Sequence, residues 1–420
     1  MELNDKLLEQ IKACEDALRD RFHEMDDLCL YNQAKVLHAM QKHRLSERHF
    51  TPSTGYGYND EGRDVCEAIF AEVFGGECAI VRPQIVSGTH AISLCLYGVL
   101  RPGDELLSIT GAPYDTIQTS IGLNPDGAGQ GTLKEFNVTY KQVDLLDSGE
   151  IDISSVLNSI NSDTKVVFMQ RSTGYAKRNA LTIDKIKEAA EAVRRKKSDV
   201  VIVVDNCYGE FLDKKEPLDV GADLIAGSLI KNPGGGLAHT GGYVIGKEKY
   251  VSLVAARLTA PGIAFEVGAN LGVIRSYLQG LFMAPRVTCD AVKGAILTAK
   301  LLSGLGYEVF PGVDDSRSDI IQAVVLGSRE KVIAYCGGIQ SASPVDAYVS
   351  PEPWAMPGYD SDVIMAAGNF VQGSSIELSA DAPMKEPYIV YQQGGLTYEH
   401  TKLGVMCAVQ ALNALNELNQ

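Results

Sequence analysis

Apolar positions change their spacing twice along the chain, and each change predicts a different kind of structure. In the first 45 residues they recur at helical intervals, as Leu7, Leu8, Ile11 and Leu18, then Leu28, Leu30, Val36, Leu37 and Met40. That period predicts two helices with no strand between them, an N-terminal arm over residues 1–50. A polar, tyrosine-bearing loop, FTPSTGYGYNDEGRD, leads from the arm into the helical segment VCEAIFAEVFG. From about residue 78 short unbroken apolar runs alternate with amphipathic stretches. CAIVRP, ELLSIT, KVVFMQ, VVIVVDN, DLIAGSLI and GGYVIG read as strands, and GTHAISLCLYGVL and TIDKIKEAAEAVRRKK as helices, the latter capped by Thr182. Runs without polar alternation are buried on both faces, which requires a parallel or mixed sheet covered by helices, an α/β class. A helical stretch over 266–304 then leads to a second unit. There IIQAVVLG, SSIELSA and YIVYQQGG read as strands and YEHTKLGVMCAVQALNALNEL as a closing helix. The expected division is the arm, a large α/β domain over 51–290 and a smaller α+β domain over 291–420.

Composition narrows the function classes. A net charge of -15 argues against nucleic acid as a partner, because phosphate contacts need lysine and arginine. The one dense basic run, RRKK at 194–197, ends a predicted helix, where it favours the helix dipole. Nine cysteines stand singly with no CxxC pair, the usage of a reducing compartment, so neither a disulfide framework nor a zinc site is expected. The start MELNDKLLEQ has no basic segment followed by an apolar core, and no run of ~18 apolar residues occurs. No secretory signal, no membrane contact and a cytoplasmic location are therefore expected.

Ligands of parallel α/β sheets bind outside the carboxyl ends of the strands, and four features fall on that edge. Asp205 ends the run VVIVVDN, and Lys231 follows the strand DLIAGSLI. Ser87, Gly88 and Thr89 open a helix whose free N–H groups can hold a phosphate. Tyr114, in GAPYDT, follows the strand ELLSIT and can face a flat ligand. Taken singly, each has a plainer reading as a strand-end cap, a solvated lysine, a helix start or a rim aromatic. A near P-loop at Gly241–Lys247 is rejected, because Glu248 stands where Ser or Thr should hold magnesium. Together, a carboxylate, an amine, a phosphate cradle and an aromatic plate are what pyridoxal phosphate requires. The carboxylate keeps the pyridine nitrogen protonated, and the lysine, its pKa depressed by burial near a cationic ring, is the nucleophile that forms the Schiff base. Ser228 adds a hydroxyl for the phosphate, and the glycines of KNPGGG would give the backbone room beside the cofactor.

The order of phosphate loop, tyrosine, strand-end Asp and Ser-x-x-Lys resembles the fold type I pyridoxal-phosphate enzymes, and among them the cystathionine and methionine lyases. FTPSTGYGYNDEGRD, VSGTHAIS, GAPYDT, QRSTGY, VVDNCYGEF, GSLIKNPGGGLAHTGGYVIG and RLTAPGI are most similar to the branch called methionine gamma-lyase family or aluminium resistance protein. The resemblance implies a mostly parallel seven-stranded sheet flanked by helices, with a smaller α+β C-terminal domain. It implies Lys231 as the Schiff-base lysine, Asp205 on the ring nitrogen, Tyr114 stacked on the ring, and Ser87, Gly88, Thr89 and Ser228 around the phosphate. Tyr56 matches a tyrosine that reaches the phosphate from a neighbouring subunit, so a homodimer, or a homotetramer built as a dimer of dimers, is implied.

Three departures accompany it. The lyases have Tyr-x-Arg where this chain has Tyr56-Gly57-Tyr58, which leaves Arg63 as a replacement and Tyr58 as a candidate for the substrate. The arginine that clamps the substrate carboxylate in the C-terminal domain is missing from SSIELSADAPMKEPY, and Arg171 is the candidate in its stead. The asparagine near the cofactor's ring oxygen is missing from QRSTGYAKRN. The expected activity is carbon–sulfur lysis of an amino acid such as cystathionine, cysteine or methionine, giving a 2-oxo acid, ammonia and a thiol, with Tyr114 as general acid. Transamination, aldol cleavage or racemisation on the same cofactor is the alternative, and a non-catalytic pyridoxal-phosphate protein of stress or metal tolerance the third.

Overall fold

The unbroken apolar runs do build one sheet. The structure is a computed structural model that describes residues 5–174, 178–356 and 361–418. Seven strands, β1 Cys78–Arg82, β2 Glu105–Ser108, β3 Thr139–Gln142, β4 Thr164–Gln170, β5 Val201–Asp205, β6 Leu224–Ser228 and β7 Gly242–Gly246, lie in the spatial order β1-β7-β6-β5-β4-β2-β3. Only β7 runs against the others, pairing antiparallel with β1 and β6. In β5, Val201 and Val203 pack on one side of the sheet while Ile202 and Val204 pack on the other, which is why that run has no polar alternation. The edge strand β3, TYKQ, carries no apolar signal because it is largely exposed.

The helices are α1 Asp5–Ala17, α2 Arg19–Lys42, α3 Glu61–Phe74, α4 Gly88–Val99, α5 Asp115–Ile121, α6 Ile153–Ser159, α7 Ile183–Lys196, α8 Glu248–Leu258, α9 Ile274–Gly304, α10 Arg329–Ser341 and α11 Tyr398–Leu418. The arm is helical as its period predicts, and Thr182 caps α7 by accepting from Lys185 N. Helix α9 is shorter than the stretch 266–304 because the segment before it is docked on the tyrosine loop. Asn270 donates to Thr51 O and Asp60 Oδ1, and Gly268 takes a left-handed φ of 122°. Residue 290 falls inside α9, whose first half joins the core of the large domain and whose second half joins that of the small one.

The small domain is a five-stranded antiparallel sheet in the order β10-β11-β12-β9-β8, made of β8 Glu308–Phe310, β9 Ile321–Val325, β10 Val363–Ala366, β11 Ser379–Pro383 and β12 Ile389–Gln393. The expected strand SSIELSA starts late, at Ser379. Ile376 and Leu378 are buried, but the preceding loop is held by the Glu377 carboxylate, which accepts from Phe370 N and Val371 N at 2.8 and 2.9 Å. One face of this sheet, including Val324, Ala380 and Val390, packs in one core with residues of α10 and α11, and the other turns towards the large sheet.

Candidate active site

Four parallel strands end at one edge, and each delivers a functional side chain or the turn that carries one. Register sets Gln170, the last residue of β4, beside Asp205, the last of β5. After Asp205 the chain turns tightly, with Cys207 N donating to Asp205 Oδ1 at 3.0 Å and Tyr208 in the left-handed region at φ 71°. Lys231 comes three residues after the end of β6 and caps a short turn, Asn232–Gly234. The buried Asn232 locks this turn to the one after β5, its Nδ2 donating to Tyr208 O at 3.1 Å and Glu210 O at 3.2 Å. As a result the Lys231 amine lies 3.6 Å from the centroid of the Tyr208 ring.

Opposite these turns, Ser87 caps α4 by accepting from His90 N at 3.1 Å, and Gly88 is the first helical residue. A Cβ on Gly88 would sit 3.2 Å from Cys207 Sγ, a tight contact, and 3.5 Å from the Ser228 Cβ, so the helix start packs close against both loops. Thr89 Oγ1 and Thr116 Oγ1 are 2.7 Å apart, which ties α4 to α5, whose cap is Tyr114. Ser87, Gly88, Thr89 and Ser228 line one cavity of about 320 Å³ together with Asp205, Lys231 and Tyr114. The small sheet closes it. Ser379 pairs with Gln393 and Asp381 with Tyr391, so all four side chains share the face that lines the cavity. Gln393 Nε2 donates to Asp381 Oδ2 at 3.0 Å.

Burial pushes the Asp205 carboxyl above its ordinary range, although the Cys207 N–H and the Lys231 charge pull the other way. For Lys231, burial alone would depress the amine. Tyr208, Cys207 and Asp205 outweigh it, and the net direction is upward, opposite to the expected depression, because the groups facing the amine in the protein are acidic. Behind the site, burial raises Glu210 to about 8, and its Oε1 accepts from the Tyr243 hydroxyl at 2.6 Å.

Other expected residues lie elsewhere. Arg171 is fully buried and does not line the cavity; its Nη1 donates to Asn206 Oδ1 at 2.9 Å and pairs with Glu216 at 3.5 Å. Tyr56 and Tyr58 are 74% and 62% exposed, away from the cavity, with Tyr56 at a separate groove formed with Arg82 and Gly268. Arg63 is spent on the loop itself, donating to Gly57 O and Gly268 O. Tyr175 of QRSTGY lies outside the described residues. The glycines after Lys231 serve packing, since a Cβ on Gly235 would collide with the Gly280 carbonyl of α9 and one on Gly280 with the Gly234 carbonyl. Tyr208, Asn232 and Gln170 were missed by sequence reasoning, although each stands within three residues of Asp205 or Lys231 or, for Gln170, at a strand end like theirs. The wall from the small sheet has no such local signal. Among the described residues no group of three His, Cys, Asp or Glu side chains is placed to hold a metal, and no helix is long and apolar enough to cross a membrane.

A family profile described as methionine gamma-lyase matches residues 7–413. The crystal structure of a carbon–sulfur lyase involved in aluminium resistance from Clostridium novyi is 48% identical, with a TM-score of 0.94 over 98% of this chain and 96% of that one. The L-methionine gamma-lyase of Pseudomonas putida is 29% identical over 50% of this chain and 45% of its own length. A pyridoxal-5'-phosphate-dependent protein from Escherichia coli, only 16% identical, shares the fold with a TM-score of 0.61 over 93% of this chain and 97% of its own.

Proposed function

This chain belongs to the methionine gamma-lyase family, and on that premise we propose that it is a pyridoxal-phosphate-dependent carbon–sulfur lyase. Its substrate would be a sulfur-containing amino acid such as cystathionine, cysteine or methionine, cleaved by β- or γ-elimination to a 2-oxo acid, ammonia and a thiol. The observation that carries this is the meeting of a half-buried amine, Lys231, and a buried carboxylate, Asp205, on one cavity with the start of α4. That donor set fits the cofactor. The amine would bind it covalently, the carboxylate would hold a proton on its ring nitrogen, and the cradle of Ser87, Gly88, Thr89 and Ser228, which a Cβ on Gly88 would crowd, would take its phosphate.

Pyridoxal phosphate, when bound, supplies the electron sink for charge developed at the substrate's Cα. The remaining work belongs to the chain. Lys231 would accept the Cα proton at Nζ, and the Tyr208 ring, 3.6 Å from that amine, keeps it over the site. Tyr114, 36% exposed on the cavity wall, gives its phenolic proton to the departing sulfur. The small-sheet wall excludes water around the reacting bonds. A second copy of the chain would complete the site. The exposure of Tyr56 and Tyr58 on a loop stapled by Arg63 supports a dimer, or a dimer of dimers, in which that loop reaches the partner's phosphate cradle.

The purified protein should show visible absorbance from lysine-bound cofactor, and Lys231→Ala should abolish it. A protein that stays colourless with added cofactor refutes the proposal. Supplying cystathionine, cysteine and methionine separately and assaying oxo acid, ammonia and thiol then selects the reaction, and oxo acid without thiol or ammonia would mean transamination.

A further inference from the structure

Two hydroxyls on the cavity wall, Ser375 Oγ and Ser379 Oγ, have no hydrogen-bond partner among the described residues. Their residues are 5% and 4% exposed, so bulk water does not satisfy them. Buried hydroxyls left without partners are costly, and two of them on one wall of one cavity mark a place for a polar ligand group. Their position says which group. Ser374 Oγ donates to the carbonyl of Ile230 at 2.9 Å, so the Ser375 turn is tied to the residue just before Lys231. An amino acid whose nitrogen takes the place of the Lys231 amine carries its carboxylate on the next carbon, and that carboxylate must find donors close to Lys231.

No guanidinium is there to receive it. Lys231 is the sole cation among the described residues of the wall. Arg171 is engaged with Asn206 and Glu216 and Arg178 donates to Ser172 O at 2.6 Å; Arg317 donates through Nη2 to Gln322 Oε1 at 2.6 Å, while its Nε and Nη1 have no partner among the described residues, and none of the three lines the cavity. Gln170 Oε1 also faces the cavity without a partner among the described residues, but it is an acceptor only and cannot serve a carboxylate. Asp381, two residues along the same strand face from Ser379, already accepts from Gln393 Nε2 at 3.0 Å.

We propose that the hydroxyls of Ser375 and Ser379 bind the substrate's α-carboxylate, as neutral donors where an arginine would otherwise stand. The inference rests on the reading of the cavity as an amino-acid site. Hydrogen bonds from hydroxyl to carboxylate are charge-assisted and short, so they give specificity for the acid without a formal counter-charge.

The test is stopped-flow titration of the cofactor-loaded protein with L-methionine and with L-methioninamide, read as the first change in visible absorbance, before turnover. Ser375→Ala and Ser379→Ala should each raise the Kd for the acid roughly tenfold, the size expected for one hydrogen bond to a charged group. The Kd for the amide should stay within about twofold, since the lost bonds were made to charge. The visible band and the melting temperature should be unchanged, and Ser375→Thr, which keeps the hydroxyl, should retain most of the affinity. Equal weakening of acid and amide overturns the proposal, as does no change in either, or a coloured protein whose band methionine does not perturb. A wild-type protein that never acquires the band fails at the cofactor reading itself and takes this inference with it.

Discussion

Tyr208 places its ring 3.6 Å beneath the amine of Lys231, and it does so from a left-handed backbone position, φ 71°. A non-glycine residue there costs on the order of 1–2 kcal/mol, a strain that persists only where neighbours enforce it. Asn232 is that neighbour, holding the Tyr208 carbonyl at 3.1 Å from the turn that bears the lysine. The ring supports the charged amine and its hydroxyl is among the groups that raise the lysine's pKa. Tyr208→Phe keeps the ring and loses the hydroxyl, so the amine is neutral more often near pH 7. Stopped-flow uptake of pyridoxal phosphate by the apoprotein should then quicken, by up to about tenfold per unit of pKa lost. Slower uptake, with the fold intact, would refute the role given to the hydroxyl.

Gly280 lies inside α9, where alanine would ordinarily gain about 1 kcal/mol of helix propensity. Its Cβ would run into the carbonyl of Gly234, a backbone group that cannot rotate away. Overpacking of this kind costs about 1–3 kcal/mol, towards the upper end against backbone, so Gly280→Ala should destabilise by a net ~1–2 kcal/mol. Urea unfolding of the apoprotein measures it, and a gain in stability would mean that the turn yields.

Glu210 is wholly buried with its pKa raised to about 8 from an ordinary 4.5. The folded state therefore holds a proton that the unfolded chain releases near pH 4.5. The contribution is fully present below that pH and is lost as pH rises to about 8, on the order of 3–5 kcal/mol at most. Glu210→Gln should flatten the fall in stability across this window, leaving what remains of that sign to Asp205, Glu67, Asp290 and Asp319, which are also raised. Unfolding curves at several pH values decide, and parallel profiles for the two proteins would count against a raised Glu210.

Arg171 and Glu216 are both fully buried, 3.5 Å apart. Removing one member of such a pair leaves the other charge unpaired, at a cost of about 3–5 kcal/mol. Arg171→Ala should therefore lower the melting temperature of the apoprotein, and Arg171→Ala with Glu216→Ala should be less damaging than the two losses added. A variant of native stability whose only defect is weak substrate binding would instead return Arg171 to the substrate.

If Tyr56 acts in the partner's site, Tyr56→Ala and Lys231→Ala proteins, each impaired alone, should complement when mixed after reversible dissociation. Half of the dimers become hybrids with one intact site in two, so about a quarter of wild-type activity should return. Absence of recovery, with hybrids shown by mass spectrometry, would exclude a shared site.

The sheet, the arm and the edge that bears Asp205 and Lys231 were legible in the chain because they rest on local periodicity. Five apolar residues in a row leave a strand no solvent face, and the residue that ends the run must emerge at the sheet's edge. Ser87, Gly88, Thr89, Tyr114, Asp205, Ser228 and Lys231 belong to such ends and starts, and all line one cavity. The glycines after Lys231 were legible as close approach but not as to what approaches, since Gly280 lies far along the chain and meets them only when α9 crosses the turn. Arg171 follows its strand as regularly as Asp205 does, yet its guanidinium turns away from the cavity because Asn206 and Glu216 offer partners that a one-dimensional reading cannot rank against a ligand. Ser375 and Ser379 carry no signal as letters, being common residues in unremarkable contexts, and Gln170 shows only its strand end. Their distinction is to be buried on a cavity with an oxygen that has no partner among the described residues, and that depends on how a sheet that ends at Gly246 and one that begins at Glu308 close on each other. Spacing determined which residues the strands present; only packing decided which of those remain to be satisfied by a ligand.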